Sequence, residues 1–182
     1  MTPEMRFITI GYIEPRKGQD ILVDAIFMLP ERIVSRCSFT IIGQDGSMLA
    51  HSLRKRIKDK PWVEMTGPVS RDRIHEIMNE ADVLICPSRE DPMPTVCAEA
   101  MMHSLPCIVS DAVGTAAYIS NEYDGFIFQS QNAKELCDKI SWCMSHRSEL
   151  PEMGKRAYEI YERFFSIRAF EKKLLGIVGG FL

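Results

Sequence analysis

Six short, largely apolar runs alternate with stretches of helical spacing along the chain, and this alternation constrains the fold more than any other feature of the sequence. The runs fall at residues 7–10, 37–42, 62–65, 82–86, 107–109 and 125–128. As a set they do not follow the strict apolar/polar alternation of strands with one wet face, so they read as strands covered on both faces. Between the first two, Ile21, Leu22, Ala25, Ile26 and Leu29 fall on one side of a helix over 19–29, and Pro30 stops it. The same reasoning predicts helices over 47–58, 70–79, 95–104, 134–146, 153–164 and 167–178, and a short one near Thr115. Strands that alternate with helices in this way predict a doubly wound α/β fold, a parallel sheet with helices on each side. No repeat, low-complexity tract or linker interrupts the pattern, and residues 1–182 read as one domain.

The totals narrow the function. Hydrophobic residues make up 46% and charged residues 26% of 182 residues, the balance of a globular chain with a sizeable core. A net charge of −3 gives no electrostatic case for nucleic acid. No apolar run approaches the ~20 residues that span a bilayer. The opening MTPEMRFITIGY lacks the basic and long apolar regions of a signal peptide. Cys37, Cys86, Cys97, Cys107, Cys137 and Cys143 form no CxxC pair, and several sit inside apolar runs. They read as reduced, buried thiols of a cytoplasmic protein, with no disulfide framework and no zinc site.

In an open parallel sheet, ligands bind at the carboxyl ends of the strands. The segments there are 11–18, 43–46, 66–69, 88–95 and 110–115. They carry glycines, which let a backbone approach a ligand, and carboxylates, which accept hydrogen bonds from hydroxyls. They also carry Arg16 and Lys17, and they lead into helix N-termini that favour phosphate. Together these suit a phosphorylated, hydroxyl-rich small molecule, a nucleotide or nucleotide sugar.

The order of the motifs resembles a known family. Gly11 is followed by Arg16-Lys17-Gly18, then Ile42-Gly43 with Asp45-Gly46, then Pro87-Ser88 and the acidic stretch SREDPMPT. Glu99-Ala100-Met101 follows, then LPCIVSD over 105–111 with Gly114, then Asp124-Gly125-Phe126. From about Phe7 to Val178 the chain resembles the C-terminal, donor-binding half of the retaining glycosyltransferases of group 1 (family 4). That resemblance implies a GT-B fold built of two Rossmann-like, three-layer α/β/α domains, of which this is the second.

The family carries two glutamates at fixed spacing. Glu99 matches the second; the position eight residues before it holds Asp91, and Glu90 lies one residue further back as a rival. By resemblance, Glu99 accepts hydrogen bonds from the donor ribose. Asp91 holds the donor sugar, with Met93, Pro94, Thr95 and Val96 near the sugar and diphosphate. Lys17 grips the diphosphate. The arginine that often follows the first glycine is replaced by Tyr12, and Arg16 is the candidate substitute. Gly43 joins this donor site, Thr66, Gly67 and Val69 hold the base, and Ser88 lies nearby. The catalytic set implied is Asp91, Lys17 and Glu99, acting on a nucleotide-diphosphate sugar without cofactor or metal.

The resemblance also implies a separate N-terminal acceptor domain in a longer parent enzyme, with this domain inactive alone. The parent would transfer a hexosyl group to an acceptor hydroxyl with retention, in polysaccharide or glycolipid assembly. Its acceptor can bring it to a membrane surface. Two other classes stay open: a nucleotide-sugar epimerase of two similar domains, and a non-catalytic partner domain that kept the fold. As bare sequence, Asp91 and Glu90 also fit a solvated loop, Glu99 a stabilising helix acid, and Lys17 a surface lysine. The four histidines carry no assigned role.

Overall fold

The computed structural model describes residues 4–44 and 46–179, with side chains through residue 176. Among the described residues, one sheet holds β1 (Met5–Ile10), β2 (Cys37–Ile42), β3 (Val63–Gly67), β4 (Val83–Cys86), β5 (Cys107–Ser110) and β6 (Phe126–Phe128). The order is β3-β2-β1-β4-β5-β6, and every neighbouring pair is parallel. The chain builds outward from β1 to β3, returns past β1, and builds outward again to β6. The reversal falls between β1 and β4, where Phe7 lies opposite Val83 and Ile8 opposite Leu84.

Helices α1 (Gln19–Met28) and α3 (Met48–Ile57) make the first two crossovers. Helices α4 (Arg71–Glu80) and α5 (Thr95–Met102) make those from β3 to β4 and β4 to β5. Local chemistry sets their starts. Ser47 accepts from Ala50 N at 3.0 Å and Ser70 from Arg73 N at 3.3 Å, each satisfying a donor that the first turn leaves open. α6 (Ala133–Ser145) packs beside α1, and α7 (Leu150–Ile160) against α5.

Two cores result. On one face Phe7, Phe39, Ile41, Val83, Ile85 and Ile108 meet the apolar sides of α1, α3 and α6, and the Phe7 and Phe39 rings stack with centroids 4.9 Å apart. On the other, Ile8, Leu84, Cys86 and Val109 meet Cys97, Ala100 and Met101 of α5 and Ala157 and Ile160 of α7. All six cysteines are free and buried, and burial pushes the Cys37 and Cys143 thiols up to about 12. No helix among the described residues is long and apolar enough to cross a membrane.

The structure corrects the sequence reading in four places. β4 and β5 are buried at every position, as unbroken apolar runs predict. In β3, however, Glu64 and Thr66 are exposed, and in β2 Ser38 and Thr40 are only half-buried. Cover on both faces therefore fails at this edge. α4 alone carries the chain from β3 past β2 and β1 to β4, and it leaves a groove of about 420 Å³ over the outer strands. Second, α2 (Glu31–Val34) is an unexpected single turn after Pro30. Third, α5 ends at Met102, two residues early. Fourth, the helix expected over 153–164 begins at Leu150 and gives way to a π-turn over Tyr161–Phe165, before α8 (Ile167–Gly179).

α7 reaches its place because Gly154 lies on the Ser104 carbonyl. A Cβ at Gly154 would stand 2.0 Å from that oxygen, which is backbone and cannot swing aside. Gly154→Ala is expected to cost roughly 1–3 kcal/mol. Urea unfolding checks this as a lower midpoint with an unchanged slope.

Candidate functional site

The segments after β1 and β4 lie side by side because their strands pair. Lys17 closes a short 3₁₀ turn over Pro15–Lys17. The turn ends at Gly18, whose φ of +70° lies in the left-handed region that favours glycine. A Cβ at Gly18 would also stand 2.0 Å from the Pro87 carbonyl oxygen, so the two loops touch at this point. Gly43 meets the Gly11 carbonyl, and Gly114 the Pro92 carbonyl, in the same close way.

Across this seam the Lys17 Nζ donates to Asp91 Oδ2 at 2.6 Å. Their side chains are 18% and 10% exposed, so water screens the pair less than a surface ion pair. Asp91 is fixed from its other side by β5's loop. Its N–H donates to Ala112 O at 3.4 Å, and its carbonyl accepts from Gly114 N at 2.9 Å. Ser88 is buried beneath the loop; its hydroxyl lies 3.6 Å from Cys86 Sγ, and its carbonyl accepts from Ser110 Oγ.

The other expected residues have partners of their own, and those contacts do not bring them onto this pair. Arg16 does not join Lys17. Its Nη2 donates to Glu14 Oε1 at 2.9 Å and its Nη1 to the Glu90 carbonyl at 3.2 Å. Glu90 thus contributes a backbone acceptor to the loop contact. Tyr12 is 63% exposed, and its carbonyl accepts from the buried Gln19 amide at 2.9 Å. Pro94 occupies the cap position of α5 with no side-chain cap, followed by Thr95 and Val96 in the first turn; Met93 is exposed beside them. Glu99 stands further along α5, with one oxygen 3.8 Å from Arg71 Nη2 of α4. Gly67 ends β3 as a strand residue, and Thr66 and Val69 line the groove beside it. Asp45 lies outside the described residues. Among the described residues, no group of three or more His, Cys, Asp or Glu is placed to hold a metal ion.

Three groups escaped the sequence reading. Arg89 and Asp20 form a bidentate pair at 2.9 and 2.6 Å, and Arg71 stands opposite Glu99. Their partners come from different crossovers, so no local pattern announces them. A third arrangement joins α4 to His103, the residue that caps the end of α5. His103 Nδ1 donates to Asn79 Oδ1 at 2.7 Å, leaving its Nε2 to accept from His75 Nδ1 at 2.8 Å.

An open parallel sheet with a basic loop and an acidic loop meeting at its switch point defines a Rossmann-like ligand-binding domain. The chain belongs to the glycosyl transferases group 1 family, whose model matches residues 2–160. It is 26% identical over 169 residues to an uncharacterized glycosyltransferase of Methanocaldococcus jannaschii, covering 92% of this chain and 45% of that protein. It is 28% identical over 133 residues to a UDP-Gal:alpha-D-GlcNAc-diphosphoundecaprenol alpha-1,3-galactosyltransferase of Escherichia coli, covering 68% of this chain and 32% of that one. The chain therefore spans less than half the length of these relatives. Its fold is that of the C-terminal domain of GT-B glycosyltransferases. Anabaena HepE, solved in complex with UDP and glucose, superposes with a TM-score of 0.82 at 20% identity, over 97% of this chain and 48% of that one. A glycosyltransferase from Rickettsia africae gives 0.83 at 20% identity, over 97% and 47%.

The histidine seam predicts an acid response. Burial, and then the neighbouring His75, hold the His103 imidazole below its ordinary value of 6.5, while Glu99 pulls the other way. The unfolded chain therefore takes up this proton first. The stability that neutral His103 supports is complete above that value and declines as pH falls through it. The melting temperature is expected to drop as pH is lowered through about 6.5, and to drop less in His103→Gln.

Proposed function

We propose that this chain is the donor-binding half of a glycosyltransferase. It binds a nucleotide-diphosphate sugar across the switch point, and the parent enzyme transfers the hexosyl group to an acceptor hydroxyl with retention. The observation that carries this reading is the Lys17–Asp91 pair, a cation and a carboxylate held together where the loops after β1 and β4 meet. Membership of the family supports it. So do the galactosyltransferase relative and a structural neighbour that was solved with UDP and glucose.

In this reading each partner of the pair takes one end of the donor. Lys17 meets the diphosphate, and its charge grows in value as the leaving group takes on negative charge. The uncapped first turn of α5 adds N–H groups and the positive end of a helix dipole to the same task. Asp91 accepts hydrogen bonds from sugar hydroxyls. Glu99, further along α5, accepts from the ribose. Backbone around Thr66, Gly67 and Val69 holds the base. A second domain, outside this chain, supplies the acceptor.

One observation favours a second reading, a partner domain that kept the fold without the chemistry. Arg16 is turned to Glu14 and Glu90, and Tyr12 brings no positive charge, so neither supplies Lys17 with a second cation. Donor binding separates the two readings.

Calorimetric titration with UDP, GDP, ADP and their glucose conjugates is expected to give saturable binding of one nucleotide. Lys17→Ala is expected to weaken it about 10- to 100-fold, the worth of a hydrogen bond to a charged group. Glu99→Ala is expected to weaken nucleotide and sugar nucleotide alike. Asp91→Asn should weaken the sugar conjugate more than the bare nucleotide, and equal losses would remove Asp91 from the sugar. A wild-type chain that binds none of these nucleotides would favour the partner-domain reading.

A further inference from the structure

Arg89 lies between the two halves of the site and touches both. Its backbone N–H donates to Arg16 O at 2.7 Å. Its Nη1 donates to Pro15 O at 2.5 Å and to Asp20 Oδ1 at 2.9 Å, and its Nη2 to Asp20 Oδ2 at 2.6 Å. Asp20 stands in the first turn of α1, directly after the turn that carries Lys17. Asp91 follows Arg89 by two residues. The guanidinium is thus a rigid strut whose ends lie within three residues of the two partners of the ion pair.

We propose that Arg89 is the positioning residue of the Lys17–Asp91 pair, fixing the distance between the loop after β1 and the loop after β4 through its fork on Asp20 and Pro15. The use of that pair for a donor rests on the reading above; the positioning itself does not. Two physical arguments carry the proposal. A planar fork with two parallel hydrogen bonds sets both distance and orientation, which a single ammonium contact cannot do. And both side chains are about three-quarters withdrawn from water, with exposures of 29% and 27%, so the pair is screened less than surface ion pairs are.

The fork also removes a charge conflict. Asp20 alone would set a negative charge beside the turn that presents Lys17 to a diphosphate. Paired with Arg89, it is neutralised without using Lys17. Three of the five guanidinium N–H groups of Arg89 are already committed, two to Asp20 and one to Pro15, so the side chain is held by the two loops.

The test uses the whole chain and two readouts. The first is the acylation rate of the Lys17 amine by an N-hydroxysuccinimide ester, followed by peptide mass spectrometry. Lys139, which pairs with Glu122 at 2.8 Å, is the internal reference. The second is the affinity for UDP and UDP-glucose. Arg89→Lys keeps the charge and loses the fork, and Asp20→Asn keeps the size and loses the charge. Both are expected to raise the Lys17 rate about threefold or more relative to Lys139, as Lys17 leaves Asp91, and to weaken UDP-glucose binding about tenfold.

An unchanged ratio of the Lys17 and Lys139 rates in folded Arg89→Lys and Asp20→Asn overturns the proposal. Equal rises at both lysines also overturn it, since they mean general loosening. If the wild-type chain binds neither UDP nor UDP-glucose while the Lys17 ratio responds, the positioning stands and the donor reading falls. If the chain binds donor and the ratio does not respond, the positioning falls and the donor reading stands.

Discussion

A lysine and an aspartate 74 residues apart can share a hydrogen bond only if the strands beneath them are neighbours, and here β1 and β4 pair in parallel. Their pairing is the point at which strand order reverses. On either side of a reversal the connecting helices depart in opposite directions, so the loops above it part and leave a crevice. The same geometry then has to keep the parted loops in register. It does so by bringing carbonyls against glycines: Gly18 on Pro87 and Gly114 on Pro92. Side chains would hold these loops further apart, and Asp91 would lose its backbone partners on β5's loop.

The Lys17–Asp91 pair is a poor candidate for a stabilising device. Both groups surrender most of their hydration, and a pair withdrawn from water often repays no more than that loss. Its geometry makes better sense as a stored arrangement. The ends of the sheet divide by role accordingly. β4 and β5 are dry on both faces and act as the rigid base of the acidic loop. β3, wet on one face, forms the edge that borders the groove lined by Thr66 and Val69.

Much of this was legible in the sequence where burial is uniform. Runs such as VLIC at β4 are strands because nothing but a covered sheet position suits four consecutive apolar residues bounded by turn residues. β3 misled for the same reason: Trp62 and Val63 read as a covered run, although Glu64 and Thr66 already alternate. The π-turn at Tyr161 and the single turn of α2 have no periodicity long enough to show. Motif order singles out Lys17, Asp91 and Glu99 as candidates, but not the ion pair of Lys17 with Asp91, because that depends on strand order. Arg89 shows the limit most clearly. It sits inside the acidic stretch that drew attention, yet its partner Asp20 lies 69 residues earlier. Arg16 was the more visible cation, and a neighbour two residues away, Glu14, takes its guanidinium.

Four cations at the carboxyl end of the sheet face an acid: Lys17 with Asp91, Arg16 with Glu14, Arg89 with Asp20, Arg71 with Glu99. That balance bears on which ligand can enter. An inorganic anion drawing Lys17 away would leave the carboxylate of Asp91 unpaired in a place with little water, a cost that offsets much of the new contact. A neutral sugar approaching Asp91 would have to compete with an ammonium already in place. On the donor-binding reading proposed above, a ligand that carries phosphate at one end and hydroxyls at the other would satisfy both partners at once. The exchange replaces one charge-assisted contact with two, and neither group is left bare. Discrimination of this kind would come from the pair rather than from either residue, and it would depend on the two loops keeping their spacing.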